Sequence, residues 1–105
     1  MDNDIINIKQ EQLDIHIKIQ QRKGRSFITT IEGLHLLEKP ENKTVDQMLD
    51  FLLAKFKKQF NCGASISREE ENPIFKLSGD KRTDVKDFLI KNKLAEPNQI
   101  KIHGF

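Results

Sequence analysis

The stretch LDIHIKIQQRKGRSFITTI, residues 13–31, decides the fold. Leu13, Ile15, Ile17 and Ile19 alternate with Asp14, His16, Lys18 and Gln20. That period of two places successive side chains on opposite faces of a strand and buries one of the faces. A second β-rich run covers 27–31, where Phe27, Thr29 and Ile31 share a face. The QRKGRS between them contains Gly24, which takes positive φ at little steric cost, so the two runs read as a β-hairpin.

Downstream, the segment 34–43 carries Pro40 and Asn42 and reads as a loop. Thr44, with Gln47 three residues on, has the spacing of a capping box and predicts a helix start. Val45, Met48, Leu49, Leu52, Leu53, Phe56 and Phe60 then fall on one helical stripe. Gly63 ends this helix; residues 64–67 and 74–77 read as strands around the turn REEEN, residues 68–72. Gly79 breaks the last of these strands. Asp80 is placed to cap a second helix that reaches about Asn92 and buries Val85, Phe88 and Leu89. Past Pro97, Ile100 and Ile102 alternate with Lys101 and His103 in a final strand.

The order is ββαββαβ. Two amphipathic helices need a common surface for their apolar faces, which predicts an α+β fold: a two-layer α/β sandwich with two helices on one face of a mostly antiparallel five-stranded sheet. The chain has 105 residues, enough for one core, so a single domain over 13–105 is expected. Residues 1–12 lack a convincing period and are expected to form a flexible N-terminal tail.

Composition narrows function. Lys plus Arg (18) barely exceed Asp plus Glu (16), so any nucleic-acid contact has to come from local clustering. The one cysteine, Cys62, cannot form an internal disulfide and reads as a small buried hydrophobe. No apolar run approaches the roughly 20 residues that cross a bilayer, and the acidic start is unlike a signal peptide, so a reducing, non-membrane compartment is expected. His16, His35 and His103 are scattered, two of them on the outward parity of strands, so no metal site and no catalytic cluster is predicted. The sequence carries no phosphate-binding glycine motif and no zinc-protease motif. An enzyme is disfavoured.

The charge map is more informative. Residues 15–31 contain no carboxylate, while Lys18, Arg22, Lys23 and Arg25 are cationic and three of them crowd the hairpin tip. A solvated turn is one reading. Phosphate contact is the other, favoured by the planar guanidinium fork, by Gly24 and by the uncharged donors Gln20 and Gln21. Lys55, Lys57 and Lys58 read as a solvated helix face or as a docking patch for an acidic partner or RNA. The run Glu69, Glu70 and Glu71 is either solubilising or a device that repels RNA. Seven Phe without Trp or Tyr, most at helix-core spacing, give no platform for stacking bases.

Four segments together, IHIKIQQRKGRSFITTIEGL, FKKQFNCGASI, KLSGDKRTDVKDFLI and NQIKIHGF, resemble the SUI family, to which eukaryotic translation initiation factor 1 belongs. The resemblance covers residues 15–105. It implies a non-catalytic, cofactor-free, cytoplasmic and monomeric factor that binds the small ribosomal subunit near the P site. There it would promote scanning and start-codon selection fidelity, alongside the initiator tRNA complex and other translation initiation factors. By position, Gln20, Gln21, Arg22, Lys23, Gly24 and Arg25 match the family's loop on ribosomal RNA. Arg68, Glu69, Glu70 and Glu71 match its initiator-tRNA-proximal loop, and Gly79 and Asp80 its GD junction. Lys55, Lys57 and Lys58 fall at partner or ribosome contacts. The chain is a divergent member: Lys23 stands where relatives often have Asn, Ser26 where many have Lys, the 68–72 turn is more acidic than usual and the 34–43 segment is longer. The competing reading is a SUI-type protein-interaction module that docks on other initiation factors through its helix lysines, with no direct decoding role.

Overall fold

Leu13 and the alternating isoleucines after it enter a strand whose hydrophobic parity sets the whole architecture. The computed structural model describes residues 13–68 and 72–104; the tail expected over 1–12 and the glutamates at 69–71 lie outside the described residues. Strands β1 (Ile15–Gln21) and β2 (Phe27–Glu32) pair antiparallel, with Ile17 opposite Ile31 and Gln21 opposite Phe27. On the other side of β2 lies β4 (Ile74–Ser78), and β3 (Ala64–Ser67) forms the outer edge. The opposite edge is β5 (Ile100–Ile102), giving the order β3-β4-β2-β1-β5.

All pairings are antiparallel except that of β5 with β1. β4 runs the same way as β1, and a helical crossover from β4 returns the chain in the same direction, so β5 arrives parallel to β1. The predicted α+β sandwich with a mostly antiparallel five-stranded sheet is the observed fold.

One face of the sheet carries Ile15, Ile17, Ile31, Phe75 and Leu77, all fully buried. Helix α1 (Val45–Phe60) starts at the predicted capping box: Gln47 N–H donates to Thr44 Oγ1 at 3.1 Å, and Thr44 N–H donates to Gln47 Oε1 at 2.9 Å. It buries Met48, Leu49, Leu52 and Phe56, while helix α2 (Arg82–Lys91) buries Val85, Phe88 and Leu89 into the same core. Val45, first in the predicted stripe, is 38% exposed.

The 34–43 segment is only partly a loop. Leu34–Leu36 forms a 3₁₀ turn, and Leu34 and Leu37 are buried in the core. Pro40 and Asn42 mark the irregular part, but Leu34 and Leu37 before them fold back because each removes an apolar side chain from water, while Leu36 between them stays half exposed. Gly33 makes this reversal possible: its φ is +97°, and a Cβ there would run into the Asp14 carbonyl oxygen. Gly24 also has positive φ, +75°, yet faces open space.

This contrast gives a stability test. Gly24→Ala meets only the left-handed backbone penalty and is expected to cost about 1 kcal/mol. Gly33→Ala adds a backbone collision and is expected to cost about 3 kcal/mol. Urea unfolding of both variants checks the ranking, and equal losses would refute it.

Candidate nucleic-acid interface

The hairpin tip is built by closing five residues between the last β1–β2 pair. Arg22 N–H donates to the Ser26 carbonyl at 2.7 Å, and the Gln21 side chain donates to the Gly24 carbonyl at 3.0 Å across the turn. Residues 20–26 are all exposed. Among the described residues, Arg22, Lys23 and Arg25 make no ion pair with a carboxylate. Lys18, the fourth cation of the sequence pattern, is different: it pairs with Glu32 at 3.1 Å and so adds little field. The result is three free cations on an ordered turn with exposed amide donors from Gln20 and Gln21.

Gly79 and Asp80 lie at the same end of the sheet. Gly79 N–H donates to the Phe27 carbonyl at 2.8 Å, just past the tip. Thr29, fully buried, donates through Oγ1 to the Gly79 carbonyl at 2.7 Å and accepts from Lys81 N–H at 2.7 Å. One hydroxyl thus fixes the junction to the base of the basic hairpin. Sequence reasoning missed Thr29 as a fastening group. Its signal was a hydroxyl at a core-facing strand position, where a buried polar group requires partners.

The expected role of Asp80 as helix cap is revised. The N-cap position of α2 is Lys81, without a side-chain cap bond. Asp80 Oδ1 accepts weakly from Arg82 N–H at 3.3 Å, and the carboxylate is engaged mainly by the Arg82 guanidinium at 2.9 and 2.8 Å. That hydrogen-bonded guanidinium holds the Asp80 carboxyl below the usual aspartate range. Arg82 also donates to the His103 carbonyl at 3.1 Å, so it ties the junction to the chain beyond β5.

The other predicted site residues are placed elsewhere. Arg68 lies beyond β3, at the end of the sheet where Ser67 pairs with Ile74, opposite the hairpin tip. Its guanidinium pairs with Asp50 at 3.1 Å and Asp46 at 3.7 Å on α1. Glu69, Glu70 and Glu71 lie outside the described residues. Lys55, Lys57 and Lys58 are all exposed, and Lys58, three residues on, stays beside Lys55 on the helix surface. Lys57 projects roughly 200° around the helix from Lys55, on the flank that carries Asp46 and Asp50. Lys55 instead lies 5.4 Å from the Phe51 ring centre. Lys57 and Lys58 also occupy the last turn of α1, where cations complement the helix dipole.

Two of the scattered histidines meet. Because β5 lies beside β1, His16 Nδ1 and His103 Nε2 approach to 2.9 Å, and His16 Nε2 faces Asp14 at 3.3 Å. The separation of 87 residues hid this pair from a local reading. No group of three or more His, Cys, Asp or Glu among the described residues is placed to hold a metal ion. Cys62 packs against the core, and burial pushes its thiol pKa up, which keeps it protonated and a poor nucleophile at neutral pH. No helix among the described residues is long and apolar enough to cross a membrane.

Comparison with known proteins supplies a lineage. The family model described as Translation initiation factor SUI1 matches residues 11–95. Eukaryotic translation initiation factor 1 of Mus musculus is 39% identical over 92 residues, covering 87% of this chain and 74% of that protein. Eukaryotic translation initiation factor eIF1 of Drosophila melanogaster is 37% identical, with 87% and 76% covered. The protein translation factor SUI1 of Eremothecium gossypii is 38% identical, with 87% and 77% covered.

Two outcomes test the junction. Thr29→Val keeps the shape but strands the Gly79 carbonyl and the Lys81 amide, and is expected to cost about 2 kcal/mol in urea unfolding, with faster hydrogen exchange at Lys81. The Asp80 carboxyl, followed by NMR, is expected to titrate below the ordinary aspartate value of about 3.9 and to return toward it in Arg82→Met. Because the folded value is depressed, any stability from this pair is present above the ordinary aspartate range and fades as pH falls through the folded value. An Asp80 midpoint that ignores Arg82→Met would remove the guanidinium as its cause.

Proposed function

The chain belongs to the SUI1 family of translation initiation factors, and from that premise we propose that it binds the small ribosomal subunit near the P site. There it promotes scanning and start-codon selection fidelity by occupancy and electrostatics, without catalysis, in the cytoplasm. The observation that carries this reading is the hairpin tip: Arg22, Lys23 and Arg25, exposed, paired with no carboxylate among the described residues and held on a closed turn. Ribosomal RNA presents phosphates to such a surface, and arginine forks bind phosphate oxygens in pairs. Gln20 and Gln21 add neutral donors, and Gly24 lets the backbone approach closely because no side chain stands over it.

The Thr29 link makes Gly79 and Asp80 part of the same end of the molecule, so the junction and the base of the tip share one anchor. Arg68 and the glutamates at 69–71 belong, in this reading, to the side that faces the initiator tRNA complex. With Arg68 already paired to Asp46 and Asp50, the glutamates there would act on the tRNA backbone as net negative charge. Other initiation factors are the remaining partners, with Lys55, Lys57 and Lys58 as candidate contacts. Their divergence around α1 favours two separate contacts over a single docking patch.

Fluorescence anisotropy of the labelled protein on purified eukaryotic small subunits, across a salt series, tests the assignment. Wild type is expected to bind with a steep salt dependence. Arg22→Ala/Lys23→Ala/Arg25→Ala is expected to lose about tenfold or more in affinity, with a log–log salt slope shallower by about 2. Unchanged binding by the triple variant would displace the tip from the interface.

A further inference from the structure

Ser26 closes the basic hairpin tip, and its hydroxyl has no structural duty. The residue is exposed and lies outside helix and strand, and its Oγ makes no hydrogen bond among the described residues. The chain's other hydroxyls are all committed or embedded in an element. Thr29 and Thr30 are buried, and Thr44 Oγ1 caps α1. Ser65, Ser67 and Ser78 lie in strands, and Thr83 sits in the first turn of α2 beside Asp84.

The surroundings of Ser26 are as distinctive as its exposure. Arg22, Lys23 and Arg25 precede it, and none of them pairs with a described carboxylate. The next carboxylate along the chain, Glu32, is engaged by Lys18 at 3.1 Å. Arg22 also faces Ser26 across the turn, its N–H donating to the Ser26 carbonyl at 2.7 Å. We propose that Ser26 is a phosphorylation site for a serine kinase that reads basic residues, and that its phosphate switches off the cationic tip. The modification rests on the geometry of the tip alone; its consequence rests on the RNA reading of that same tip.

A kinase with an acidic substrate groove recognises cations placed just before the serine by charge complementarity. Such an enzyme takes its substrate extended, so the turn has to open. The turn is held by the Arg22–Ser26 and Gln21–Gly24 hydrogen bonds at the exposed end of the hairpin, where local opening costs least. Ser26 Oγ then attacks the γ-phosphorus of ATP. An O–P bond forms as the bond to the β–γ bridging oxygen breaks, ADP leaves with that electron pair, and the hydroxyl proton passes to the carboxylate base of the kinase. Phosphoserine carries about −1.5 to −2 charges at neutral pH, which offsets half or more of the charge of the three tip cations. Its oxygens also compete with RNA phosphates for the Arg22 and Arg25 forks.

The folded full chain is incubated with ATP and either of two basophilic kinases, cyclic-AMP-dependent kinase or protein kinase C. Mass spectrometry is expected to find one phosphate, on Ser26. Ser26→Ala is expected to take none, and Arg22→Ala/Lys23→Ala to react about tenfold more slowly. Anisotropy across a salt series then compares the phosphorylated chain, the unmodified chain and Ser26→Ala on small subunits and on a plain RNA duplex. Phosphorylation is expected to weaken binding about tenfold and to make the log–log salt slope shallower by about 1 to 2, with the melting temperature unchanged. Ser26→Ala is expected to bind like wild type. Unmodified chain that binds the duplex but not the subunits displaces the ribosomal reading, and the duplex then decides the switch: loss on phosphorylation supports it, and equal binding overturns it. Phosphate on another residue, no phosphate from either kinase, no binding of the unmodified chain to either RNA, or binding lost together with the fold also overturns the proposal.

Discussion

The Phe56 ring is the contact on which the two layers depend. It projects from α1 and meets Phe75 of β4 edge-on at 5.7 Å, Phe88 of α2 edge-on at 5.2 Å and Phe60 in a stack at 5.6 Å. One fully buried side chain thus touches the sheet and both helices. Aromatic pairs at such separations favour these offset and edge geometries, so the ring helps set the relative position of the helices as well as removing apolar surface from water. With both helices committed to one face, the hairpin tip projects beyond the covered part of the sheet. Its polar residues are free of core duties for that reason.

The same architecture sorts the charges. Most described carboxylates near β1, α1 and the GD junction are engaged locally: Glu32 by Lys18, Asp46 and Asp50 by Arg68, Asp80 by Arg82. Each is an exposed pair of small energetic value, and their stability contribution is secondary. Their consequence is spatial. Among the described residues these pairs neutralise Lys18, Arg68 and Arg82, and they leave the cations of the 22–25 turn without a carboxylate. A net charge of only +2 therefore coexists with a local cationic tip.

Much of this was legible in the sequence because it is periodic or local. The alternation from Leu13, the Thr44 to Gln47 capping box and the α2 face of Val85, Phe88 and Leu89 each need only a short window. What escaped depends on contacts between distant residues. The Thr29 hydroxyl reaches Gly79 and Lys81 across the β2–β4 pairing, and His16 meets His103 only because β5 returns beside β1. The Asp80 prediction was right in seeing a carboxylate at a helix entrance and wrong in its main partner, because a neighbouring guanidinium is a stronger donor than a backbone amide. Lys55, Lys57 and Lys58 looked like one patch because they are close in sequence, but on the helix Lys58 lies beside Lys55 at i+3 while Lys57 turns away from it.

For the proposed role, the character of the tip matters as much as its charge. The Arg22 to Ser26 closure and the positive φ of Gly24 order the backbone before any ligand arrives, which lowers the entropic cost of contact. The arginine and lysine side chains remain exposed, and the tip holds no aromatic ring to clamp a base. Binding through such a surface is governed by phosphate positions and ionic strength, with electrostatic steering accelerating encounter. Without stacked or buried anchors, little opposes dissociation once the surrounding phosphates move. A preformed, purely cationic turn is therefore suited to a factor whose residence depends on the geometry of the RNA around it.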